Sequence, residues 1–173
     1  MSDSSLPRSV YLDTSVVATA LFPGLAHGNA SATFLGDVAK LGGRASFSRI
    51  LWLEYAQVLI KLPRGTELPD DMRRRFRLAR WETNADVRRR WMEHGLDQLE
   101  TLLRQFDEAL AIPFRRSTWT ASLDVMARTQ LRSHDAVHVA TAREVGVLDF
   151  VTVDDHFRRV PDLRVWLIRD AAP

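Results

Sequence analysis

The chain is predicted to fold as an α/β sandwich around a central, mostly parallel sheet, and three observations predict it. Short apolar runs alternate along the sequence with helical stretches. The runs, such as Val10-Tyr11-Leu12 and Val151-Thr152-Val153, are continuous and do not alternate, which is the pattern of strands covered on both faces. Two of them run straight into an aspartate, Asp13 and Asp154, at the carboxyl end of the strand, where sheets of this kind bind ligands.

Residues 1–8 are polar, contain Ser4-Ser5 and Pro7, and read as a loose arm. Val10 to Leu12 is the first strand and passes through Asp13-Thr14-Ser15 into a helix begun by Val16-Val17-Ala18. Pro23-Gly24 and His27-Gly28 mark a loop. Ala30 to Leu41 is then helical and is stopped by Gly42-Gly43. Ala45 to Phe47 is a short strand, and Ile50 to Leu62 a helix ended by Pro63. Two arginine-laden helical patterns between Pro69 and Leu110 pair as a hairpin insertion, so that residues from about 63 to 110 form an arginine-rich helical segment. Ile112 to Arg115 is a further strand, and Thr118 to Gln130 a helix. Asp135 to Val145 is another, stopped by Gly146, and Leu148 to Val153 and Leu163 to Ile168 are the last strands.

A length of 173 residues suits one domain with its own core, here taken as residues 1–173. The formal charge of +2 goes with a pI near 9.5 because Lys40 and Lys61 are the only lysines and arginine does not titrate in the accessible range. The absence of cysteine excludes disulfides and thiolate metal sites and suits the cytoplasm. No apolar stretch reaches the length of a membrane span. Val16 to Phe22 has the apolar character of a signal-peptide core, but Asp3 and Asp13 break the required order of charge.

Four scattered acids carry the chemistry. Glu54 is the only charge between Arg49 and Lys61, on a helix that is apolar on nearly every side. A lone carboxylate there costs several kcal/mol unless paired. A buried salt bridge to arginine, a narrow polar stripe through Glu54, Gln57 and Lys61, and a metal all meet that demand. Asp13 stands where a helix cap is wanted, although Thr14 or Ser15 could cap and leave it free. Asp135 falls in a first helical turn, where negative charge suits the dipole and Ser133 is the expected cap. Asp154 and Asp155 could form a polar turn. If the fold gathers Asp13, Glu54, Asp135 and Asp154, the result is an anionic pocket that suits Mg²⁺ or Mn²⁺, the equipment for phosphodiester cleavage. His134 and His138 flank Asp135 at i, i+4 spacing and offer a mixed His/Asp metal site as the lesser alternative; His134 is expected in a loop and His138 to pack or hydrogen-bond.

The run Val10-Tyr11-Leu12-Asp13-Thr14-Ser15, the helix Leu53 to Leu59, the stretch Ser133 to Ala142 and the ending Val151 to Phe157 together resemble the four acidic motifs of PIN-domain ribonucleases, in order and spacing, from about residue 9 to 168. Within that superfamily the chain most resembles VapC-type toxins of toxin–antitoxin pairs. The resemblance implies a three-layer, PIN-like (Rossmann-like) sandwich. It also implies Mg²⁺- or Mn²⁺-dependent cleavage of single-stranded or loop RNA, with Asp13, Glu54, Asp135 and Asp154 around the metal. Thr14 or Ser15 would hydrogen-bond water or phosphate, and a small antitoxin would be the protein partner; a homodimer is expected. The middle segment is longer than in compact toxins, and Asp155 competes with Asp154 as the fourth acid. The alternatives are a housekeeping RNA-processing nuclease and a non-catalytic RNA-binding or scaffold module.

Residues 71–90 hold eight arginines against three acids, with Trp81 and Trp91 in or beside them. Arg73, Arg74, Arg77 and Arg80 are the expected RNA contacts, with the tryptophans available for stacking on bases; a solvated helical face with core tryptophans is the rival reading. Other α/β enzymes with an aspartate at a strand end fit less well. A haloacid-dehalogenase-type phosphatase needs a second acid where this chain has Ser15, and a response-regulator receiver needs a late lysine that is missing.

Overall fold

A computed structural model describes residues 6–64 and 70–170. Five strands form one parallel sheet in the order β3-β2-β1-β4-β5. They are β1 (Ser9–Leu12), β2 (Arg44–Ser48), β3 (Glu108–Ile112), β4 (Asp149–Thr152) and β5 (Arg164–Leu167). Among the described residues there are seven α-helices: α1 (Thr14–Leu21), α2 (Gly28–Lys40), α3 (Ile50–Lys61), α4 (Asp70–Leu78), α5 (Ala85–Leu103), α6 (Arg116–Thr129) and α7 (Ser133–Glu144). None of the described helices is long and apolar enough to cross a membrane.

Strand periodicity divides the core into two. Val10 and Leu12 of β1 and Val151 of β4 face a cluster with Val17 of α1, Leu35 of α2, Leu51, Tyr55 and Leu59 of α3, and Leu99 of α5. Tyr11 and Phe150 point to the other face, against Val125 of α6 and Ala136, Val139 and Ala142 of α7. The three layers follow directly from successive side chains in a strand pointing to opposite faces.

Three sequence expectations are corrected. The third strand is Glu108–Ile112 and not Ile112–Arg115. Pro113 has no N–H for the ladder, and as an edge strand β3 leaves Ala109 and Leu110 exposed, so it lacks the apolar density of a central strand. The arm is not loose where it is described, because Pro7 is buried and the Arg8 carbonyl accepts a hydrogen bond from Arg44 N–H at 2.8 Å. Ser133 is the first residue of α7 rather than its cap, which is Arg132.

The helical insertion is α4 and α5. Phe76 of α4 packs edge-on against Trp81 and Trp91, with ring centroids 5.4 and 4.9 Å away. Trp81 is buried, and Trp91 is half-buried with its indole N–H donating to the Leu59 carbonyl at 2.7 Å. Both tryptophans therefore belong to the core and do not form a stacking surface for bases, contrary to the sequence expectation. Gly95 brings α5 against α3, since a Cβ there would stand 2.6 Å from the Leu59 side chain. These contacts fix α3, and with it Glu54.

Candidate active site

All four acids lie at the carboxyl edge of the sheet. Asp13 follows β1 and Asp154 lies just beyond β4, its immediate neighbour. Connections leave β1 toward β2 on one side, whereas β4 lies on the other, so the crevice between β1 and β4 is the topological switch point where such sheets place ligands. Glu54 is carried in from α3, and Asp135 from the first turn of α7.

Asp13 occupies the N-cap position of α1 but makes no capping hydrogen bond. Its Oδ2 accepts from Thr152 Oγ1 at 2.8 Å and from Ser15 Oγ, and the residue is 5% exposed. Thr14 Oγ1 donates to Glu54 Oε2. The two hydroxyls expected to serve water or phosphate therefore orient carboxylates, and neither caps the helix. Asp154 caps the following 3₁₀ turn by accepting His156 N–H at 2.9 Å, and it is half-buried, while Asp155 is exposed.

Glu54 has a partner that the sequence expectation did not include. No arginine reaches it among the described residues; His138 Nε2 stands 2.7 Å from Glu54 Oε2 and 3.9 Å from Asp13 Oδ1. His138 is fully buried. The available sign was its position three residues after Asp135 on the same helical face, inside a stretch otherwise made of Ala, Val and Thr. His134, by contrast, is exposed, with Nδ1 3.8 Å from Glu54 Oε1.

The electrostatics show the crowding. Burial, followed by repulsion from Asp13, Asp154 and Glu54, raises the Asp135 carboxyl above its ordinary range. Burial also acts to raise Glu54, but the hydrogen bonds and charge of His138, with Thr14 and His134, outweigh it and hold Glu54 below its ordinary value. For His138, burial disfavours the cation, yet its bond to Glu54 and the charges of Asp13, Glu54 and Asp135 prevail and raise it. The positive N-terminal ends of α1 and α7 also point into the crevice and offset part of its charge.

These directions set the pH dependence of the metal-free fold. The raised Asp135 costs stability once ionised, and the raised His138 contributes fully below its ordinary 6.5 and loses that contribution as pH climbs through its folded value. The lowered Glu54 contributes above its ordinary 4.5 and loses that contribution only on acidification. Melting temperature in chelator should therefore fall as pH is raised from 6.5 upward. A rise instead would show that Glu54 and Asp13 do not stabilise the His138 cation.

The donor set is all oxygen, which fits a hard divalent cation. Asp135 supplies the test of fit, because charges that repel its ionised form would be neutralised by such an ion. Among the described residues, the one set of three that brings ligand atoms within 4.8 Å of each other is Asp154, Asp155 and His156, on the rim. Asp13, Glu54 and Asp135 belong to no such set.

Fold and crevice define a Rossmann-like α/β protein with an acidic, oxygen-lined site at its switch point. The profile of the PIN domain matches residues 10–163, and the chain belongs to the PIN domain family, whose members are typically nucleases. Among solved structures, a chain of the VapBC2 complex from Rickettsia felis, crystallised with a DNA fragment from its promoter, is similar in fold. The TM-score is 0.58 at 15% identity, over 91% of this chain and 96% of that one. No curated protein sequence matches the chain.

Proposed function

We propose that this protein is an Mg²⁺- or Mn²⁺-dependent endoribonuclease acting as the toxin of a toxin–antitoxin pair. The observation that carries the nuclease reading is the PIN fold over residues 10–163 with Asp13, Glu54, Asp135 and Asp154 at the carboxyl edge of its sheet. Asp13, Glu54, Asp135 and Asp154 would hold the ion. When bound, it supplies a water of lowered pKa and charge stabilisation for the departing oxygen. The chain's own groups do the rest: Ser15 and Thr152 aim Asp13, Thr14 aims Glu54, and the α1 and α7 N-termini favour an approaching phosphate. The toxin reading is supported by the fold shared with a chain of the VapBC2 complex, and it brings with it a small antitoxin partner and a cytoplasmic setting.

The test is cleavage of defined single-stranded and hairpin RNAs with Mn²⁺ and with chelator, alongside induced expression in cells. Mn²⁺-dependent internal cuts and growth arrest relieved by a co-expressed small partner are expected. A folded protein that binds RNA without cutting it would favour the scaffold reading, and active enzyme without growth arrest a housekeeping nuclease.

The arginine segment lies beyond the C-terminal end of α3, because α4 contacts the 3₁₀ turn Leu62–Arg64. At the 1.5 Å helical rise, that is roughly 10 Å past Glu54 along the helix axis. Arg74, Arg77 and Arg80 are exposed, whereas Arg73 is half-buried and paired with Asp70. Changing Arg74, Arg77 and Arg80 to Gln should weaken RNA binding at low salt and flatten the dependence of log affinity on log salt by about 0.7 for each phosphate no longer neutralised. An unchanged slope would return the segment to a solvated face.

A further inference from the structure

His138 has no place in an all-carboxylate account of the site, yet it is the most constrained polar side chain there. It is completely buried, and both ring nitrogens are engaged. Nδ1 lies 3.1 Å from Tyr11 Oη. That oxygen already accepts Ser48 N–H at 2.9 Å, at the end of β2. A carboxylate can only accept, so the 2.7 Å contact assigns Nε2 of His138 as the donor to Glu54 Oε2. Thr14 Oγ1 donates to the same Oε2.

Two donors on Oε2 leave Oε1 with only the exposed His134 near it, its Nδ1 3.8 Å away. We propose that His138 is a positioning residue: locked by Tyr11 against the backbone of β2, it immobilises Glu54 through Oε2, so that Glu54 offers only Oε1 to a bound cation. The inference rests on the metal-dependent reading above and adds how one of the acids is presented. A partner of this kind behind a metal-binding carboxylate commonly sets affinity by 10- to 100-fold.

The experiment is a double-mutant cycle on Mn²⁺ affinity, measured by calorimetry, with His138→Leu, Glu54→Gln and the pair. If His138 acts through Glu54, each single change should weaken Mn²⁺ binding by ~10-fold or more, and the double mutant should be no weaker than Glu54→Gln alone. Losses that multiply in the double mutant would overturn the proposal, since they would mean independent, structural effects. His138→Gln, which keeps an N–H donor, should recover part of the affinity; recovery no better than leucine would also count against it. Should His138→Leu fail to fold, Tyr11→Phe replaces it in the cycle, with the same non-additivity expected.

The imidazole nitrogen spectrum gives a readout that needs neither metal nor RNA. A protonated Nε2 that shifts on Glu54→Gln is expected, and one that does not move overturns the positioning. A wild-type protein that takes up no Mn²⁺ would defeat the metal reading separately, leaving that spectrum to decide the role of His138.

Discussion

Asp13→Asn should reduce metal-dependent RNA cleavage by at least ~100-fold, taking as a floor the loss usual for residues that merely support a metal ligand. The amide keeps the shape and can still accept from Thr152 and Ser15, so the fold should survive. What is removed is the negative charge at the centre of the crevice, on a residue 5% exposed that the α1 cap does not use. Single-turnover rates at saturating Mn²⁺, with circular dichroism as the control of folding, decide it. A folded mutant with wild-type rates would sink the assignment of the site.

The second large effect concerns stability, with opposite signs for two neighbouring acids. From the sequence, mutual repulsion of four converging carboxylates predicts that Glu54→Gln melts at the same or a higher temperature without metal, whereas a buried salt bridge predicts the reverse. The structure divides the acids. Glu54 is held below its ordinary pKa by His138 and Thr14, so its ionised form stabilises the fold, and Glu54→Gln should cost about 2 kcal/mol, the worth of a charge-assisted hydrogen bond. At ~2–4 °C per kcal/mol for a chain of this size, the melting temperature in chelator should drop by several degrees. Asp135 is raised by burial and repulsion, so Asp135→Asn should melt higher than wild type in chelator. Both mutants should gain less from Mn²⁺ than wild type, which at a hundredfold excess over its dissociation constant gains about 2.7 kcal/mol. Equal shifts of the same sign in the two mutants would show that the crevice is electrostatically uniform.

The acids at strand ends were legible because local pattern sufficed. An apolar run ending in Asp13, and another ending in Asp154, announces both the strand and the exposed end of it. The sequence left Asp154 and Asp155 as alternatives because what separates them is the 3₁₀ turn, which places Asp154 among the charges acting on Asp135 and leaves Asp155 exposed. His138 was read as a residue that packs or hydrogen-bonds, which is its local situation, but its bond to Glu54 spans 84 positions and has no local signature. The tryptophans misled for a similar reason. Flanking arginines made them look like a stacking surface, whereas Phe76 and Leu59, distant in sequence from Trp91, cover them. Edge strand β3 was displaced because its residues are only partly covered, so the apolar density that marks β1 and β4 is missing.

The pairing of β4 with β1 has a bearing on how the protein is made. The hydrogen bond between Thr152 and Asp13 joins residues 139 positions apart, and the Asp13 N–H bonds to the Val151 carbonyl across nearly the same span. At translation rates of about 5–20 residues per second, β1, β2 and β3 leave the ribosome seconds before β4 does. Until then the nascent chain holds Asp13 with no neighbour on one side, Asp154 is not yet present, and the hydroxyl of Thr152 that aims Asp13 is missing. A pocket assembled from distant parts of the chain is therefore completed only when the fourth strand docks, so an unfinished chain carries an incomplete set of acids.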